Sequence, residues 1–107
     1  MYSFNFSHGP NLKNIEHINL SSNKIEELPE RFHKLMYLQI LDVSHNNLKT
    51  VSKKLKSLSQ LHFLNLTGNI SLKENAVQAG TYLNSYENHV KVLELLKKIQ
   101  ETETLIH

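Results

Sequence analysis

The sequence predicts an α/β solenoid: a short parallel sheet on a concave face, with a helical cap at the C-terminal end. Three observations predict it. An apolar string recurs at a fixed interval, an asparagine closes each copy of the string, and the recurrence stops before a stretch with helical periodicity.

The string is apolar-x-x-apolar-x-apolar-x-x-Asn. It reads Ile15, Ile18, Leu20, Asn23, then Leu38, Leu41, Val43, Asn46, then Leu61, Leu64, Leu66, Asn69, each copy starting 23 residues after the last. The residues between the strings keep the same step. Ile25 matches Leu48, Leu28 matches Val51, Phe32 matches Leu55, and Leu12 matches both Leu35 and Leu58. Alternation inside the string turns the leucines to one face of a strand and their neighbours to the other. Parallel strands are expected over residues 17–20, 40–43 and 63–66, with Asn19 beside Asp42. Asn23, Asn46 and Asn69 fall where the chain leaves each strand. An amide there both donates to and accepts from turn backbone, so stacked repeats about 4.8 Å apart build an asparagine ladder.

The segments NLKNIEHINLSSNKIEELPERFHKL and YLQILDVSHNNLKTVSKKLKSL resemble leucine-rich repeats of the intracellular, 23-residue kind. Leu28-Pro29-x-x-Phe32-x-x-Leu35 is the most specific part, and the resemblance covers Leu12 to Leu72. It implies a curved solenoid whose inner face carries the parallel sheet. Residues 1–72 are assigned to the repeats, the first of them degenerate, and residues 73–107 to a C-terminal helical capping segment.

In the degenerate repeat, Phe4 to Phe6 is expected as a strand, linked tightly to the next through Gly9-Pro10. Acidic and basic residues also follow the period. Glu26 is expected beside Lys49 and Glu30 beside Lys53 on the outer surface, which makes the run Lys49, Lys53, Lys54, Lys56 chiefly structural. Beyond Leu72, residues 73–86 are expected to be helical, with Val77 and Leu83 inward and Gly80 as a weak point. Residues 87–101 form the stronger helix, with Val92, Leu95, Leu96 and Ile99 as its apolar stripe and Val90 and Leu93 at its margin. The helix caps the last repeat; the alternative is a partner-binding helix through which two chains self-associate.

Composition narrows the function. Twelve Lys and Arg against ten Asp and Glu leave a net charge of +2, too balanced to point to nucleic acid or a membrane surface. No signal peptide or membrane span is present in these residues. The chain has no Cys, which excludes thiolate chemistry and disulfides and suits a reducing, cytoplasmic compartment. Asn5, Asn19, Asn65 and Asn69 each begin an Asn-x-Ser/Thr triplet, read here as a product of the repeat rather than as glycosylation sites.

Solvent-facing positions of the strands should line up in columns. These are Glu16, Gln39, His62; His17, Ile40, Phe63; Asn19, Asp42, Asn65; Ser21, Ser44, Thr67; and Ser22, His45, Gly68. A partner-binding face of His17, Asn19, Ile40, Asp42, His45, His62, Phe63 and Asn65 is expected, with Ile40 and Phe63 as its apolar centre unless the C-terminal segment covers them. His17, His45, His62 and Asp42 fall in different columns and rows, so neither a metal site nor catalysis is expected, and no cofactor motif occurs. The function expected is a non-enzymatic protein–protein interaction module that binds a protein partner through the concave face. The alternative is a regulatory or structural segment of a larger multidomain signalling protein, docked on its neighbouring domain.

Overall fold

Alternation within the apolar string produces a three-residue strand in every repeat. The computed structural model describes residues 2–3, 14–72 and 77–105. In chain order its elements are the strands β1 (Tyr2–Ser3), β2 (His17–Asn19), β3 (Ile25–Glu27), β4 (Ile40–Asp42), β5 (Phe63–Asn65) and β6 (Gln78–Gly80), then the helix α1 (Tyr86–Leu105). Short 3-10 turns at Glu30–Lys34 and Lys53–Ser57 form the outer side of two repeats. The strand expected at Phe4–Phe6, the Gly9-Pro10 link and Leu12 lie outside the described residues.

An open four-stranded sheet runs in the order β2-β4-β5-β6. β2, β4 and β5 are parallel, and their register pairs Asn19 with Asp42 and Asp42 with Asn65, as the period requires. A second, two-stranded parallel sheet joins β1 to β3, with Tyr2 beside Ile25.

The matching apolar positions fill one core. Ile18, Leu41 and Leu64 enter it from the strands, and Val43 and Leu66 from just beyond them. Ile25 and Leu48, Phe32 and Leu55, and Leu35 and Leu58 close it from the other sides. The asparagine ladder is built as expected. Asn46 Nδ2 donates to the carbonyls of Leu20 at 2.9 Å and Val43 at 3.0 Å, while its Oδ1 accepts from Ile25 N at 3.1 Å. Asn69 repeats this one step on, donating to Val43 and Leu66 and accepting from Leu48 N. Each amide thus ties its own turn to the previous repeat with groups that would otherwise be buried unpaired.

The outer charges follow the period with one slip. Lys49 pairs with Glu26 at 3.7 Å, but Glu30 takes Lys54 at 2.9 Å instead of Lys53. Ser52 caps the second 3-10 turn by accepting from Lys54 N, which fixes the backbone from which that lysine reaches Glu30.

The closing segment differs from the expected pair of helices. Within residues 77–85 the chain forms β6, which runs antiparallel to β5, followed by a bend. Val77 and Leu83, expected inward, are exposed. Gly80 explains why a helix does not form there. Its φ is +79°, and a Cβ on it would lie 1.9 Å from the His62 carbonyl oxygen, so only glycine lets β6 approach β5 this closely. Ser85 then starts α1 as its N-cap, accepting from Asn88 N at 3.2 Å. Val92, Leu96 and Ile99 are buried in the shared core, and the helix packs on β5, β6 and the second 3-10 turn. The helix runs from Tyr86 to Leu105, beyond the expected 87–101.

Candidate protein-binding face

The side of the sheet away from the core carries the columns read from the sequence, and three rows of it have turn-forming roles. Asn19, Asp42 and Asn65 each turn a side-chain oxygen to the backbone N–H two residues on, at Ser21, Ser44 and Thr67. Ser21 and Ser44 add their hydroxyls to the same acceptors at 2.7 Å. Asp and Asn are interchangeable here because only an acceptor oxygen is needed. This accounts for the Asn-x-Ser/Thr triplets at Asn19 and Asn65, while Asn69 is buried in the ladder. The next row, Ser22, His45 and Gly68, has left-handed backbone with φ of 58°, 54° and 82°. Gly68 is the unstrained member, and the His45 imidazole lies against it, with Nδ1 only 2.3 Å from where a Cβ would stand.

Of the eight residues expected on a binding face, His17, Asn19 and His45 are exposed, and Asp42 and Asn65 are half-buried. Ile40, His62 and Phe63 are not available: they retain 7%, 1% and 3% of their surface. Ile40 and Phe63, although buried, are not part of the main apolar core. The closing segment covers this corner. The Tyr82 ring stacks on Phe63 with centroids 4.7 Å apart and planes 19° from parallel, an arrangement that contributes about 0.5–1.5 kcal/mol beyond burial. Ile40 is held in the middle strand between His17 and Phe63.

The residues that form this strap, 81–85, are fastened at several points. His62 Nδ1 donates to the Thr81 carbonyl at 2.9 Å, and its Nε2 lies 3.4 Å from Gln39 Oε1. Asn88 Nδ2 donates to Thr81 Oγ1 at 2.7 Å and to the Leu83 carbonyl at 2.9 Å. His89 Nδ1 reaches back to the Leu61 carbonyl at 2.8 Å, so a histidine on each side binds the closing segment to the last repeat.

Exposed apolar side chains at this corner come instead from the strap and the first residue of α1. Tyr82, Leu83 and Tyr86 are 69%, 70% and 81% exposed. Sequence reading missed them by extending helical periodicity across 73–86. Ser85 with Asn88 three residues later was the signal that a helix begins only there. Among the described residues no His, Asp and Glu side chains converge on a metal position, and no helix is long and apolar enough to cross a membrane.

Comparison with known proteins agrees with the repeat. Residues 6–48 match the model of the leucine rich repeat family. The chain is 37% identical over 75 residues to Toll-like receptor 4 of Pongo pygmaeus. That alignment takes in 66% of this chain but 9% of the receptor, so the chain spans less than a tenth of the relative it matches. No solved structure gives a significant match.

Proposed function

Because this chain belongs to the leucine-rich-repeat family, we propose that it is a protein-binding segment of a curved solenoid and that its partner docks on the sheet face and the adjoining strap. The observation that carries this reading is the Phe63–Tyr82 stack. It sets exposed Tyr82 over β5, in the sheet whose strands β2 and β4 carry or precede the exposed His17, Asn19 and His45. Aromatic anchors within a polar surround are what a protein interface uses. Catalysis has no part in the reading.

Quantitative co-purification of binding proteins with the parent chain and with Tyr82→Ser/Leu83→Ser tests it. Partners that depend on those two residues, and not on the outer residues Met36 and Tyr37, are expected. Retention of every partner by the strap variant would overturn it.

A second reading, docking of the segment on a neighbouring domain of a larger signalling protein, draws support from the relative being a receptor of which this chain spans 9%. A cytoplasmic location remains part of the proposal, on the cysteine-free sequence. Endoglycosidase-sensitive glycan on Asn19 in cells would count against it.

A further inference from the structure

Charge is not spread evenly over the two sides of this protein. Ten of its twelve Lys and Arg are described, Lys13 and Lys73 lying outside, and these ten fall within the segments 24–34, 49–56 and 91–98. None occupies a column of the sheet face, and none lies in the strap or the first turn of α1. Among the described residues, the Asp, Glu, Lys and Arg side chains on that side are all carboxylates. Glu16 is exposed one position before β2, Asp42 stands in β4, and Glu87 follows Tyr86 in the first turn of α1. Asp42 places Oδ1 on both of its turn bonds. The bonds from Asn88 to Thr81 and Leu83 hold the start of α1, where exposed Glu87 precedes Asn88, to the strap. Among the described residues, and with His counted as neutral, this face thus has the opposite sign to the chain's net charge of +2.

We infer that the occupant of this face is an extended polypeptide segment carrying Lys or Arg beside a large apolar side chain, an inference that rests on the sheet face and strap being the binding surface. The apolar side chain meets Tyr82, Leu83 and Tyr86, which give it exposed aromatic and aliphatic surface to cover. The cationic groups meet Glu16, Asp42 and Glu87, and among the described residues no Lys or Arg stands in the columns or the strap to repel them. Size also favours a segment over a broad docked domain. Four strands leave a face about 14 Å across at about 4.8 Å per step, which about four extended residues span. Lysines and arginines gathered elsewhere would steer such a segment away from the outer surface, so charge sets the side approached as well as the strength.

Selection from a displayed library of random peptides, run in parallel on the full chain, on Tyr82→Ser and on Glu16→Lys/Glu87→Lys, tests the inference. Peptides rich in Lys or Arg next to an apolar residue are expected from the parent. They should be lost on Tyr82→Ser and weakened about tenfold or more by the charge reversal, with slower association and marked salt sensitivity. Glu94→Lys, on the exposed side of α1, should leave them unchanged. Neutral or acidic peptides that still need Tyr82 would overturn the charge inference and leave the binding surface standing. Peptides indifferent to Tyr82, or no peptides, would overturn the surface itself. Self-association of the parent abolished by Glu16→Lys/Glu87→Lys would make the occupant a second copy of this chain and overturn the inference likewise.

Discussion

The repeats of residues 14–72 and the closing segment of residues 77–99 hold themselves together by different means. In the repeats, each contact is made again 23 residues later: Ile18, Leu41 and Leu64 bury alike, and Asn46 and Asn69 make the same bonds to successive turns. The closing segment uses contacts that occur once. Gly80 slides against the His62 carbonyl, Tyr82 lies on Phe63, and His62 and His89 grip carbonyls on opposite sides of the junction. Repetition lets stability accumulate from near-identical neighbour interactions, whereas a terminus needs a particular fit to finish an apolar stack. The same junction that finishes the stack also forms the candidate binding surface.

The largest test of that division is removal of the cap. Truncation after Tyr86 takes away Val92, Leu96 and Ile99 and uncovers the apolar end of the last repeat. Loss of the cooperative melting transition, with aggregation seen by light scattering, is the expected outcome. A monomer with an unchanged midpoint would mean that the repeats stand alone.

Within the repeats, Asn46→Leu should be the most damaging single change. It leaves the buried Ile25 N–H without its acceptor and takes one of two amide donors from each of the Leu20 and Val43 carbonyls, which keep Asn23 and Asn69, so the cost should be about 1–3 kcal/mol for the unsatisfied N–H by denaturant titration. A value under about 1 kcal/mol would show that water replaces the amide.

Two glycines with similar backbone sharpen the comparison. Gly80→Ala drives a methyl into the fixed His62 carbonyl and should cost about 3 kcal/mol, with loss of slow amide exchange in β6. Gly68→Ala meets only the movable imidazole of His45 and should cost about 1 kcal/mol. Equal effects would mean that the left-handed φ, not the neighbour, sets the penalty.

Tyr82→Ser should lower stability by about 1 kcal/mol in a thermal melt, because it removes one stacked ring and leaves the backbone grip of His62 on Thr81 intact. Collapse of the fold would show the strap to be core and unsuitable as a separable binding element.

The smallest effect belongs to the outer surface. The Lys54 ammonium, hydrogen-bonded to the exposed Glu30 carboxylate, holds that carboxyl below its ordinary range. Because the folded pKa is the lower one, the contribution is present above the unfolded pKa and fades as pH falls through the folded value. An NMR titration should show Glu30 protonating at higher pH in Lys54→Ala, with the difference reduced by salt.

The sequence by itself determined the repeat, the three parallel strands, their register, the asparagine ladder and the apolar stripe of α1. These are periodic, and periodicity is visible in a single chain because each side chain's partner occupies the same phase one repeat away. The columns the sequence lines up also keep the register that the strands show. Tertiary structure alone decided which members of those columns meet solvent. Ile40 and Phe63 are buried, a non-repeating strap covers that corner, and Tyr82 and Leu83 of the strap and Tyr86 at the start of α1 are exposed instead. Gly80 looked like a defect in a helix until its neighbour, the His62 carbonyl 18 residues earlier, gave it a reason. Contacts made once, between residues with no shared phase, leave no periodic trace in the sequence, and the end of a repeat array is where such contacts must occur.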